Sequence, residues 1–184
     1  MAQPLKRPEN WVNKFEIDTA GGQDPLTDAA NAKFAKLSQG IISVTPAANE
    51  TDDTQSFWED EGFSETDGTG KRITYAFTGQ RVVGDPAQDF VASKFWSMGD
   101  ELRTLVRVTD QNGNTALCNA TMTTIVPFGG NANARQTFSF TLSMNGKPVL
   151  GTGGQNNDDG NGLNGTKSGS EGAGLGDNNA APKQ

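Results

Sequence analysis

The residues able to do chemistry are few, and they sit apart. Histidine is absent and Cys118 is the only cysteine, so the usual nitrogen and thiolate ligands of zinc or copper are missing. Cys118 lies in the apolar stretch Ala116-Leu-Cys-Asn-Ala-Thr-Met122. A small buried thiol is expected there, and no histidine exists to activate it as a nucleophile. Carboxylates are plentiful. Asp52-Asp53 and Glu59-Asp60-Glu61 could hold calcium through oxygen ligands, although solvated acidic loops are the plainer reading. Asp110-Gln-Asn112-Gly113-Asn114 places glycine at the fourth position, where a helix-loop-helix calcium loop needs it at the sixth. Gly68-Thr-Gly70-Lys71 echoes the end of a phosphate-binding loop. That loop requires glycine where Glu65 stands and Ser or Thr where Arg72 stands, so the echo fails twice. Carboxylate pairs for glycosidic chemistry occur only in loop-like segments, where acidic residues are expected anyway. Neither a catalytic residue, a metal nor a cofactor is expected, and the chain reads as a non-enzyme.

The elements that carry these residues form one body with a terminal extension. The 34 residues from Gly151 onward contain ten glycines, no aromatic residue, and only Leu163 and Leu175 as large aliphatics. Such a segment buries too little apolar surface to offset the entropy of ordering it, so a flexible C-terminal tail at 151–184 is expected. The first ten residues, polar with prolines at positions 4 and 8, predict an extended N-terminal arm. Between them lies a single domain of ordinary size, 11–150. The net charge of -7 opposes tight binding of nucleic acid, which requires basic groups to neutralise phosphates. It does not oppose a surface that DNA passes without sticking. No apolar run is long enough to span a bilayer, and the N-terminus lacks the apolar core of a signal peptide. Synthesis in a cytoplasm without membrane association is expected.

Along the body, period-two alternation dominates. Residues 11–17 place Trp11, Asn13, Phe15 and Ile17 on one face of a possible strand. Asp24-Pro25 suggests a short helix or turn over 25–33, followed by a strand through Ile41, Ile42 and Val44 into Pro46. The acidic, glycine-containing stretch 47–72 reads as a long loop. Phe57, Trp58 and Phe63 within it either anchor it on the body or meet a partner. Ile73, Tyr75 and Phe77 alternate in a further strand. Asp85 as cap, Pro86 at the first helical position and Gln88 at the third predict a helix over 86–96, stopped near Gly99. Three strands complete the pattern, at 102–109, 116–128 and 134–146. The sum is a mainly β fold, an antiparallel β-sandwich or barrel with one flanking α-helix.

The last two strands carry an unusual surface. Phe138, Phe140, Leu142 and Met144 alternate with Thr137, Ser139, Thr141 and Ser143, and the preceding strand adds Thr121 and Thr123. A solvent-facing sheet in a free monomer usually carries charge, which also blocks edge pairing. An uncharged face suits a sheet that adjoins another subunit or lines an enclosed surface, though the β-propensity of threonine alone also accounts for it.

Several segments in order resemble the major tail protein, or tail tube protein, of long-tailed bacteriophages of Gram-positive hosts. They are Gly40-Ile-Ile-Ser-Val-Thr-Pro46 with Ala-Ala-Asn-Glu50, the acidic stretch to Phe57-Trp58, Lys71-Arg-Ile-Thr-Tyr-Ala-Phe-Thr-Gly79, Gly84-Asp85-Pro86-Ala-Gln-Asp89-Phe90, and Phe138-Ser-Phe140-Thr-Leu142 leading into Asn145-Gly146-Lys147-Pro148. The resemblance covers about residues 10 to 150. It implies a tail tube-like β-sandwich whose copies form six-membered rings, with inner sheets joined into a barrel and rings stacked into the conduit for DNA ejection. It also implies a virion location. The implied partners are further copies of the chain, a tape measure protein, a tail terminator, distal tail or baseplate proteins, and viral DNA in transit. On the same resemblance, Leu5 in the arm and Phe57, Trp58 and Phe63 in the loop are candidate subunit or ring contacts. Thr121, Thr123, Thr137, Ser139, Thr141 and Ser143 are candidates for the lumen or the subunit seam. A capsid decoration protein, another virion β-sandwich protein and a soluble interaction module are the alternatives.

Overall fold

The computed structural model describes residues 7–152. Seven strands form one antiparallel sheet: β1 (Lys14–Asp18), β2 (Phe34–Lys36), β3 (Ile41–Ser56), β4 (Ser64–Gln80), β5 (Arg103–Thr109), β6 (Thr115–Val126) and β7 (Thr137–Gly151). Their order is β2-β1-β5-β6-β7-β4-β3. The expected mainly β class with one flanking helix is observed; a barrel is not. β2 and β3 each pair on one side only, so the sheet has two free edges.

The sheet is open in its hydrogen bonds but strongly curled. β1 and β4 are four strand spacings apart, about 19 Å in a flat sheet. Phe15 on β1 nevertheless meets Tyr75 and Phe77 on β4 with ring centroids 5.3 Å apart in both pairs. The concave side therefore closes on itself through side chains, and the core forms there: Ile17, Val106, Ala120, Met122, Phe138, Phe140, Leu142 and Phe77, covered by Ala87 and Val91 of the helix. One face of the sheet has folded over, so no second sheet is needed to cover it.

That helix, α1 (Pro86–Ser93), starts as expected. Asp85 caps it by accepting the Gln88 amide at 2.9 Å, and Pro86 occupies the first turn. It ends as a 3-10 turn over Lys94–Trp96. Gln88 has a larger task than helix capping. It is fully buried; its Nε2 donates to the carbonyls of Gln39 and Gln80 at 2.6 and 3.3 Å, and its Oε1 accepts the Val82 amide at 2.8 Å. One side chain thus ties the helix to the chain entering β3 and leaving β4. At the same junction a Cβ on Gly79 would stand 2.1 Å from the Gly40 carbonyl oxygen, and Gly40 has φ +69. Both positions require glycine.

Two expectations are corrected and a third, the helix or turn over 25–33, is narrowed to a turn. Residues 10–12 form a 3-10 turn, so Trp11 is exposed and the first strand begins only at Lys14. The segment 25–33 holds a single 3-10 turn at Ala29–Asn31. The Asp28 carboxylate takes the amides of Gln23 and Asp24, and Asp24 takes that of Leu26, so side chains satisfy donors that a helix would use. Those backbone bonds also hold Asp28 below the ordinary carboxylate range. Finally, 47–72 is not a loop, because β3 and β4 pair, with one irregularity between Thr51 and Asp52, out to Ser56 opposite Ser64.

Candidate functional site

The candidate surface residues fall into two groups, and the ladders place each. On β6 and β7, Thr121 lies opposite Ser143 and Thr123 opposite Thr141. On β7 and β4, Ser143 lies opposite Thr74, Thr141 opposite Ala76 and Ser139 opposite Thr78, while Thr137 closes the row opposite Gln80. On β4 and β3 the rows continue to Ala47, Thr45 and Ser43. Thirteen side chains from four adjacent strands thus form one uncharged, mostly hydroxyl-bearing face. Period two places it opposite the concave core, because Phe138, Phe140 and Leu142 are all buried. The six predicted residues are brought together by the fold.

Some polar groups at the β6–β7 side of this face are hydrogen-bonded locally. Thr124 donates to the Thr141 hydroxyl at 3.0 Å, and Thr123 to the Thr141 carbonyl at 3.4 Å. Asn145 donates to Asn119 at 2.7 Å and to Thr121 at 2.8 Å. The ladder is irregular between Thr123 and Val126, where Thr124 adopts φ 49. This is a bulge, and pairing with β7 resumes beyond it at Val126 opposite Ser139.

The second group sits on a projecting hairpin. Past the last β4–β7 pair, Thr74 with Ser143, β3 and β4 continue as a two-stranded ribbon, and every residue from Thr45 to Arg72 is exposed. At about 3.3 Å per residue the free ribbon reaches roughly 30 Å from the body. It has no apolar core. Hydroxyl pairs join Thr54 to Thr66 at 3.2 Å and Ser56 to Ser64 at 3.1 Å, and Lys71 pairs with Glu50 at 2.7 Å. Lys71 accordingly holds Glu50 below the ordinary carboxylate range, by hydrogen bond first and charge second. Asp53 stands directly opposite Asp67, a repulsive arrangement.

The tip is aromatic. Phe57, Trp58 and Phe63 are 45%, 101% and 78% exposed around a reversal made by Glu61 in the left-handed region and Gly62. They do not anchor this segment on the body. Leu5 lies outside the described residues, as do most of the N-terminal arm and the C-terminal segment from Gly153.

A third surface was missed in the sequence. Phe95 packs edge-on against Trp96 at 4.7 Å and meets Phe128 at 6.1 Å. Trp96 is 86% exposed, and Phe128 and Met98 are also exposed. A helix unbroken over 86–96 would set Phe95 on the apolar face with Val91; the chain instead switches to a 3-10 turn after Ser93, and Phe95 and Trp96 are exposed. Phe128 arrives from the far end of β6, a juxtaposition that no local pattern signals.

The residues first considered for chemistry are dispersed. Among the described residues no three His, Cys, Asp or Glu side chains are placed to hold a metal. Cys118 is buried, its thiol donating to the Asn145 carbonyl at 3.3 Å, and burial pushes its pKa up, disfavouring thiolate. Asp110 folds back on its own turn, accepting from the amides of Asn112 and Asn114 and from the Asn114 side chain, each at 2.8 Å.

No family model and no curated protein matches the sequence. Solved structures do match in shape. A chain in the tail of an empty gene transfer agent particle, computed with helical refinement and C6 symmetry, superposes with a TM-score of 0.60 at 13% identity, covering 79% of this chain and 98% of that one. A chain in the virion of a native gene transfer agent particle superposes with a TM-score of 0.61 at 12% identity, covering 79% and 100%. At these identities the likeness is one of fold.

Proposed function

We propose that this chain is a structural virion protein that self-assembles as a tail tube: six copies close a ring, rings stack, and DNA is ejected through the channel. The observation that carries this reading is the uncharged Ser/Thr/Ala face across β6, β7, β4 and β3. A face without charge on an open sheet suits contact with further copies or an enclosed lumen better than bulk solvent. The two free edges, β2 and β3, offer unpaired backbone groups through which neighbouring sheets can continue into a common barrel. Likeness of fold to a tail chain solved with C6 symmetry supports six as the ring number. The net charge of -7 favours a wall past which phosphates slide.

In this reading residues 1–10 are a bridging arm, 11–150 the tube domain with its hairpin, and 151–184 a C-terminal extension. Leu5, Phe57, Trp58 and Phe63 contact neighbouring subunits or rings. Thr121, Thr123, Thr137, Ser139, Thr141 and Ser143 line the lumen or the seam. Besides further copies of the chain, the partners are a tape measure protein, a terminator and distal tail or baseplate proteins. No cofactor takes part. Negative-stain microscopy of the concentrated protein tests the proposal. Tubes or six-fold rings are expected, and monodisperse monomers at every concentration would overturn it.

A further inference from the structure

Two exposed aromatic clusters lie at opposite ends of the same strand. β4 begins beside the hairpin tip, at Ser64, and ends at Gln80 opposite Thr137. The Thr137 amide donates to the Gly129 carbonyl at 3.1 Å, which brings Phe128 and its neighbours Phe95 and Trp96 to that end. The tip with Phe57, Trp58 and Phe63 is therefore separated from the Phe95–Trp96–Phe128 cluster by the length of β4, about 50 Å. The exposed tip cannot reach the cluster of its own chain.

The two ends also differ in charge. The tip carries Glu59, Asp60 and Glu61, none in an ion pair with another described residue. The cluster is flanked by Lys94, which lies over the Phe90 ring, and by Arg135 in the connection that holds Phe128; neither has a carboxylate partner among the described residues. Nearby, Asp89 is taken by Arg81 and Asp100 by Arg103, leaving Glu101 as the unpaired acid of that turn. An apolar knob with an acidic rim thus matches an apolar patch with a basic rim.

We infer that the hairpin tip of one copy docks on the Phe95–Trp96–Phe128 cluster of a second copy, head to tail. Because knob and patch are different surfaces, the contact is heterologous and each copy keeps one of each free. Because they lie at opposite ends of β4, repetition propagates along the strand direction and joins successive layers of subunits. The inference rests on the self-assembly proposed above and names the surface that receives the hairpin. Desolvation of aromatic side chains supplies the affinity, and the opposed rims set the direction.

Crosslinking full-length chains tests this without removing the aromatic residues. Ser64→Cys beside the tip and Met98→Cys beside the cluster are introduced in separate chains. The chains are mixed, assembled and treated with a short bismaleimide; buried Cys118 in the unsubstituted protein is the control. A covalent dimer is expected in the mixture and not with either variant alone. In parallel, W96S/F128S should melt normally yet need roughly tenfold more protein or above for tube growth, the size expected for hot-spot aromatic residues. Normal tubes without the crosslink, or W96S/F128S tubes at unchanged concentration, would overturn the docking and leave the tube reading standing. Chains that remain monomeric throughout would overturn both.

Discussion

The body and the hairpin share two strands yet are held by different forces. From Thr74 to Gln80, β4 is sandwiched between β3 and β7, with Phe77 stacked on Phe140 at 4.9 Å. From Ser64 to Arg72 the same strand has one neighbour, exposed side chains on both faces, and like charges opposed at Asp53 and Asp67. Burial stabilises the first half. The second has only its ladder and a few polar pairs, and isolated two-stranded ribbons are marginal in water. On the proposed reading, a segment of such low local stability, with three aromatic residues at its tip, gains its order from a neighbouring copy.

That contrast can be broken most strongly from the body side. Phe140→Ala removes a buried ring packed between Phe77 and Phe138. It should cost roughly 3–5 kcal/mol, read from denaturant unfolding of the monomer. Gln88→Ala comes next. It leaves the Val82 amide and the Gln39 and Gln80 carbonyls without their buried partner, a loss of about 1–3 kcal/mol by the same measurement. Values near zero for both would place the stability of the fold elsewhere than in the curled core.

Smaller effects are expected from the outer face and the tip. Thr141→Lys should change monomer stability by about 1 kcal/mol or less, since only hydroxyl contacts with Thr124 are disturbed. It should still impair tube assembly or DNA ejection, because a lysine in a seam or narrow channel is either desolvated or holds phosphate. Normal assembly and a normal ejection rate would return Thr141 to an ordinary outer surface. Replacing Phe57 and Trp58 with serine should leave monomer melting within about 0.5 kcal/mol, while fewer or shorter tubes form. A large loss of monomer stability would restore the anchoring reading that the exposed tip excludes.

The finest test of the contrast is acid. Glu50 is held below its ordinary value by Lys71. A lowered carboxylate contributes above its unfolded pKa and loses that contribution as pH falls through the folded one. Hairpin amides near Glu50 and Lys71 should therefore exchange faster, relative to β5–β7, once pH drops below the ordinary glutamate value of 4.5. The change should be small, because the pair is solvent-exposed. Hydrogen exchange showing equal acid sensitivity in hairpin and body would remove this distinction.

Much of the body was legible because its signals are local. Alternation separated Phe138, Phe140 and Leu142 from Thr137, Ser139 and Thr141, and pairing has now placed the first set in the core. Asp85-Pro86 marked the helix start because capping involves residues three apart. The stretch 47–72 misled for the same local reason. Its Asp, Gly and Thr residues lack the apolar alternation of a half-buried strand, since no face of this ribbon is buried. Pro46, which lacks an amide donor, is tolerated in β3 because β3 is an edge.

By itself, then, the chain's order of residues determined which way each strand faces and where the helix begins. Those properties depend on neighbours two to four residues apart. Only the tertiary structure decided that the sheet stays open yet curls until Phe15 meets Phe77, that Gln88 bridges three segments, and that Phe95, Trp96 and Phe128 form an exposed cluster across the length of β4 from the hairpin tip. Each of these joins residues distant in sequence, so the contact is set by packing and strand order, which no local period encodes.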